Sequence, residues 1–355
     1  MNSGTLTRRV WLSAGLALGI LAAQSLVLAQ DGVPAGQRIF YASHSLMWDM
    51  PPVLQQQAEA YGIDGHSVLG IQRLGVSRTL QHWNLPDEQN QAKQALEAGD
   101  VDVFVMSPIA LPDEGIDNFV GLGLEHNPDM RFLIQVSWPG LGLTDNNDFN
   151  TGAFGGAFGG GPPAGGAAPP AAGARGAPPG AGARGAPPAA GARGAAPGAA
   201  AGGPSGGGRG GAGAGGQDYN RSPEELAIIN VKNDRSAEEQ AARLNEGAGR
   251  QVVFLVPTSQ AHNALRLAIY NGEMPGMTDQ GEVFLDFIGH PTPPVIALNT
   301  YVHFAVLYNR SPIGLPVPSV LLNAGGTEEM NLKLQEIAWD IVSNYPPSGV
   351  TAASR

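Results

Sequence analysis

The chain of 355 residues carries 51 Gly, 29 Pro, no Cys and a formal net charge of −11. The missing cysteine excludes a disulfide scaffold, Cys-ligated zinc, an iron–sulfur cluster and a thiol nucleophile. An acidic chain lacks the clustered Lys and Arg that a polyanion requires, so neither nucleic acid nor anionic lipid is an expected partner.

Residues 1–29 read as an export signal. Arg8 and Arg9 precede an apolar run from Val10 to Leu28, and Val27-Leu28-Ala29 offers a small-x-Ala cleavage site before Gln30. Thr7-Arg8-Arg9-Val10-Trp11-Leu12 is similar to a twin-arginine signal, and an ordinary secretory signal with two arginines reads the same residues. No second apolar span follows. A periplasmic or extracellular location without stable membrane insertion is therefore expected.

Beyond the signal, Arg38–Ser43 (RIFYAS) is a short apolar strand ending at a turn, and a helix follows from Pro51 to Tyr61, with Pro suited to its first turn. His66–Ile71 is a second strand. Asp87–Ala98 has helical composition with Gly99 as its stop. Val101–Met106 (VDVFVM) reads as a buried strand, Asp113–Glu125 as a helix, and Arg131–Ser137 (RFLIQVS) as the fourth strand. Asp113 and Glu114 are expected as helix N-terminal acids favoured by the macrodipole.

Residues 151–216 break this alternation. They hold 26 of the glycines and 10 of the prolines, and repeat nine residues three times from Gly173, Gly182 and Gly191. Glycine fails to recur at every third position, which excludes collagen, and the stretch has too little apolar bulk to offset its ordering entropy. It is expected to be a disordered insertion dividing one domain into 30–150 and 217–355. The signal and the insertion carry Arg8, Arg9, Arg175, Arg184, Arg193 and Arg209 and no acid, so the remainder is more acidic than the whole.

Ser222-Pro223-Glu224-Glu225 then opens a long helix to about Glu246, with Ser222 as N-cap and Glu225 at the third position. Gln251–Val256 (QVVFLV) is a fifth strand and Gln260–Tyr270 a helix. Further helices run from about Pro293 to Tyr308 and from Thr327 to Ser343. Five apolar strands separated by helices predict an α/β fold with a mostly parallel sheet covered on both faces. In such sheets ligands bind beyond the carboxyl ends of the strands.

The residues just past those ends are the candidates. Ser45, in Ser43-His44-Ser45-Leu46, can present a hydroxyl at a strand-to-helix turn or simply cap the next helix. After the second strand, Gly75 stands where backbone can approach a ligand, with Arg78, His82 and Trp83 following. Later come Asp286 and His290, an acid and an imidazole four apart, suited to orienting acid and general base. His303 is expected to be structural. His66, His126 and His262 show no ligand spacing, and no metal or cofactor is expected.

In this order the pieces resemble the SGNH (GDSL-like) hydrolase superfamily, in particular an exported bacterial branch of it. Ser43–Leu46 (SHSL) is similar to the first block, and Gly75 in LGVSRTLQHWN to the second-block glycine. DFIGHPTPP resembles the last block, D-x-x-H-P, with Gly289 as one extra residue. The third block, G-x-N-D, is replaced by Met106-Ser107-Pro108-Ile109, so its side-chain donor is absent unless Ser107 or a neighbouring loop supplies one. The resemblance implies a three-layer α/β/α sandwich of the flavodoxin-like kind. It also implies Ser45 as nucleophile, His290 as base, Asp286 as its orienting acid and Gly75 as a second oxyanion donor, with His44, Ser107, Arg78, His82 and Trp83 around the ligand. The implied substrate is a small acyl ester, acetyl-type, on carbohydrate. A non-catalytic glycan-binding or surface-assembly protein, stacking sugars on Trp48, Trp83 and Trp138, is the alternative.

Overall fold

The computed structural model describes residues 32–140, 142–146 and 219–350. The export-signal reading of 1–29 and the whole of the Gly/Ala/Pro-rich stretch 151–216 lie outside the described residues. Between Pro34 and Val350, β1 (Arg38–Ser43), β2 (Ser67–Arg73), β3 (Val103–Ser107), β4 (Arg131–Gln135) and β5 (Val253–Val256) form one parallel sheet in the order β2-β1-β3-β4-β5. The order reverses at β1, so the crevice beside β1 and β3 is where a parallel open sheet receives a ligand.

The helices are α1 (Met50–Tyr61), α2 (Thr79–Trp83), α3 (Gln91–Glu97), α4 (Glu114–His126), α5 (Pro223–Leu226), α6 (Val231–Ala248), α7 (Thr258–Tyr270), α8 (Pro293–Tyr308), α9 (Ser319–Asn323) and α10 (Glu328–Ser343). Strand side chains alternate between two separate apolar clusters, as the two-residue period dictates. Ile39, Tyr41, Val103 and Val105 join one cluster with α1, α7, α8 and α10. Phe40, Ala42, Phe104 and Met106 join the other with α3, α4 and α6. Helix α8 is apolar all round and buried from Val295 to Tyr308, as a helix enclosed by protein must be. Among the described residues no helix is long and apolar enough to cross a membrane.

Two expectations need correcting. The single helix expected from Ser222 to about Glu246 is two. The capping box forms as read, with Glu225 N–H donating to Ser222 Oγ at 3.3 Å and Ser222 N–H to Glu225 Oε2 at 2.8 Å. Asn230 then breaks the run at φ +68°, because its N–H donates to Thr144 O at 2.6 Å and its side-chain amide to Ser137 O at 3.1 Å. The helix expected over 87–98 begins instead as a 3-10 turn over Asp87–Gln89, and Asn90 caps a fresh start at α3.

Helix α2 stands in a segment that reads as loop. Asp113 explains it from a distance. Its buried carboxylate accepts the N–H groups of Thr79 at 2.6 Å, Leu80 at 2.9 Å and Gly115 at 2.9 Å, capping α2 and α4 together. The acid is a helix cap, as its position predicts. Gly115 lets the two helices touch, since a Cβ there would lie 2.2 Å from Leu80 N.

Candidate active site

Register places the site. Ser43 pairs with Arg73 on one side and with Ser107 on the other. Ser45 and Gly75 therefore leave the sheet together, each two residues past the end of its strand. The turn at Ser45 is anchored from below by Ser43 O, which accepts from Leu74 N–H at 3.2 Å and Trp48 Nε1–H at 3.0 Å.

Ser45 is half-buried, and its Oγ lies 2.8 Å from His290 Nε2. The other ring nitrogen, Nδ1, is 2.6 Å from Asp286 Oδ2. A carboxylate facing Nδ1 fixes the proton there and leaves the Nε2 lone pair for the serine hydroxyl. Side-chain exposures of 28 % for His290 and 39 % for Asp286 keep both reachable from solvent. These are the geometry and tautomer of a serine–histidine–aspartate triad, in chain order Ser45, Asp286, His290.

The four-residue spacing of Asp286 and His290 is spanned by a compact ring. Asp286 Oδ1 accepts from the backbone N–H groups of Ile288 at 3.1 Å, Gly289 at 3.1 Å and His290 at 3.2 Å. Gly289 takes φ +96°, a conformation that L side chains rarely adopt. Partial burial raises the Asp286 carboxyl, and the hydrogen bonds from the His290 ring and backbone more than offset it. Its pKa falls below the ordinary carboxylate value. The acid thus stays ionised beside the imidazole.

Two backbone donors lie just past the ends of neighbouring strands β1 and β2. Among the described residues neither Ser45 N–H nor Gly75 N–H has an acceptor within the protein. Gly75 is exposed and has no positive φ, and a Cβ there would meet nothing within 4 Å. Packing gives no reason for glycine at this position. Val76, next in the chain, is held at φ +43°, a strained value for a β-branched residue.

The remaining candidates separate into two groups. Trp48 is half-buried beside the turn at Ser45, with the Arg73 guanidinium 5.7 Å from its ring centre. Arg78 is partly exposed and donates to Pro112 O at 2.6 Å, beside the buried Asp113. Ser107, His44 and His82 are buried and committed to the protein. Ser107 Oγ accepts the His44 N–H at 3.2 Å, so it supports the turn at Ser45 and is not turned toward a ligand.

His44 accepts the Leu46 N–H on Nδ1 at 3.3 Å, which puts its own proton on Nε2, 3.5 Å from Ser137 Oγ. Burial, with smaller contributions from His82 and His290, pushes its pKa down to about 3 and keeps it neutral. His82 faces Ser77 Oγ at 2.9 Å and Gln72 Nε2 at 3.2 Å, and burial lowers it to about 4. Trp83 packs edge-on against Phe119 with Lys93 over its face. Trp138 is 2 % exposed and cannot stack on a sugar. It donates instead to Gly289 O at 2.9 Å, a role its sequence neighbourhood gave no sign of.

His262 and His303 are buried, with pKa values lowered to about 3 and about 4 by burial. His262 Nε2 meets Asn299 Oδ1 at 3.1 Å and His303 Nδ1 meets Asn299 O at 2.8 Å. Among the described residues no three His, Asp or Glu side chains gather as a metal site. No family model matches the chain, and no curated protein or solved structure matches it either.

Proposed function

We propose that this chain is an exported serine hydrolase of the SGNH (GDSL-like) type, cleaving small acyl esters, acetyl-type, carried on carbohydrate. The observation that carries the hydrolase reading is the continuous contact Ser45 Oγ–His290 Nε2 (2.8 Å) and His290 Nδ1–Asp286 Oδ2 (2.6 Å) at the carboxyl edge of a parallel sheet. The two apolar clusters are read as the inner sides of two helical layers, making a three-layer α/β/α sandwich. The carbohydrate part rests on the export reading of residues 1–29 and on the family resemblance.

The chemistry follows from the geometry. As Ser45 Oγ bonds to the ester carbonyl carbon, its proton passes to His290 Nε2. The carbonyl oxygen takes the negative charge and is held by the Ser45 and Gly75 N–H groups. His290 then delivers its proton to the departing alcohol oxygen as the C–O bond breaks. Water attacks the acyl-serine, loses its proton to His290, and the carboxylic acid leaves as the proton returns to Ser45 Oγ. Asp286 remains ionised throughout and stabilises the imidazolium.

A fluorophosphonate probe is expected to label Ser45, and Ser45→Ala to abolish turnover of p-nitrophenyl acetate. A chain that the probe leaves unlabelled, and whose ester turnover survives Ser45→Ala, would overturn the reading.

A further inference from the structure

The Asp286–His290 ring closes on itself. Besides the three backbone bonds to Asp286 Oδ1, Leu285 N–H donates to His290 O at 2.8 Å, and Phe284 and Pro291 pair as an isolated antiparallel bridge. Such a ring keeps its Asp–His geometry from within. It also stands out from the protein, with Leu285 69 % and Phe287 46 % exposed. A shift of a unit closed internally changes the distance from His290 to Ser45 while leaving Asp286–His290 intact.

A bond from the sheet side opposes such a shift: Trp138 Nε1–H donates to Gly289 O at 2.9 Å, two residues before the Pro291 end of the ring. The indole is itself held firmly. Val136 N–H donates to Val256 O at 3.0 Å, and Ser137 O accepts from the Asn230 amide. The ring of His262 stacks on Trp138 at 3.7 Å between centroids, and Phe284 lies nearly parallel to both. A Cβ at position 289 would come 3.2 Å from Trp138 Nε1 and 3.3 Å from Gly140 Cα, so glycine is what allows the approach.

We propose that Trp138 is the positioning residue of the base: its indole N–H, by fixing the Gly289 carbonyl, sets the reach of His290 to Ser45. The inference rests on the hydrolase reading of the same site. It assigns the extra residue in the acid–base segment a mechanical partner across the fold.

The test uses the full chain with Trp138→Phe, which keeps the stack on His262 and removes the donor. kcat for p-nitrophenyl acetate is expected to fall about ten- to a hundred-fold, because small misplacements of a catalytic group cost that much. KM should stay near its wild-type value, and fluorophosphonate labelling of Ser45 should slow by the same factor as kcat. In nitrogen NMR the His290 Nε2 resonance, which reports the bond to Ser45, should shift, while the downfield Nδ1 proton shared with Asp286 stays in place.

An unchanged kcat and Nε2 resonance overturn the inference, and so does loss of the Nδ1 proton signal, which would mean that Trp138 merely holds the loop folded. If Trp138→Phe fails to fold, β-(3-benzothienyl)alanine placed at position 138, which keeps the bicyclic ring and lacks the N–H, is read in the same way. Failure of the hydrolase reading itself is recognised separately, by a wild type without turnover or labelling. The Nε2 resonance of the variant still decides the positioning role in that case.

Discussion

Asp286→Asn tests the triad at its most informative atom. In the native ring Oδ1 collects three backbone N–H groups, and Oδ2 faces His290 Nδ1 at 2.6 Å. Asparagine has only one acceptor oxygen, and the three N–H groups claim it. Its NH2 must then turn toward His290 and donate to Nδ1, which drives the imidazole proton onto Nε2. An Nε2 that carries a proton cannot take one from Ser45. The loop should survive, because the oxygen that closes it is conserved.

Weaker bonds from a neutral acceptor cost about 1–2 kcal/mol of stability. Catalysis should fall by about 10⁴ in kcat, roughly 5.5 kcal/mol of barrier, the cost of a wrong tautomer in a serine triad. Initial rates on p-nitrophenyl acetate, the rate of fluorophosphonate labelling and thermal unfolding together separate the two effects. A folded Asp286→Asn protein that keeps kcat within ten-fold of wild type would refute the tautomer argument.

Stability should fall steeply with acid. Burial holds the pKa of His44 and His262 at about 3 and of His82 and His303 at about 4, below the unfolded value of about 6.5. With folded values depressed, the unfolded chain binds these protons first, so stability present above pH ~6.5 is lost as pH falls toward the folded values. Asp234, raised by burial to about 6, acts in the opposite direction over pH 6 to 4 by taking its proton in the folded state. For these five groups alone, net uptake on unfolding near pH 5 is about three protons, or about 4 kcal/mol per pH unit. Urea midpoints measured from pH 7 to 5 check this, and a flat profile would refute it. Gly115→Ala pushes a Cβ into the α2 backbone and should cost about 1–3 kcal/mol by thermal unfolding. Gly75→Ala meets no protein atom, so stability should stay within about 0.5 kcal/mol while kcat/KM drops; a destabilised variant would give that glycine a packing role instead.

What could be read from the sequence was whatever depends on neighbours in the chain. The apolar runs of β1 and α8 carry their own boundaries, and both begin and end where composition places them. Ser45, Asp286 and His290 stand out in the sequence because each follows a strand or sits on an irregular segment, and the triad they make is what the family resemblance implies. What failed is non-local. Helix α2 exists because Asp113, some thirty residues later, caps it. Asn230 breaks a helix for the sake of Ser137 and Thr144, and nothing around Asn230 announces those partners. His82, His44 and Ser107 looked like ligand groups because spacing gives position along the chain and not depth. Trp138 was missed for the converse reason. The signal that points to it is Gly289, where a Cβ would lie 3.2 Å from Trp138 Nε1.

The pairing of Ser107 with His44 bears on how fast such a site can work. Ser43 and Ser107 are partners in the sheet, so the residue after β1 and the last residue of β3 necessarily meet. The chain uses that meeting to hold the nucleophile turn: Ser107 Oγ takes the His44 N–H, and neutral His44 takes the Leu46 N–H on the far side of Ser45. A hydroxyl buried in that role does not reach a ligand. The proposed reaction therefore has the Ser45 and Gly75 N–H groups for its oxyanion and no side-chain donor from the end of β3. One missing donor costs about 3–4 kcal/mol in the transition state. That penalty is most tolerable where the leaving group is already good. Aryl acetates should accordingly turn over far faster than alkyl acetates, with a rate ratio read from initial velocities on p-nitrophenyl acetate and ethyl acetate. Equal rates would mean that another group supplies the missing bond.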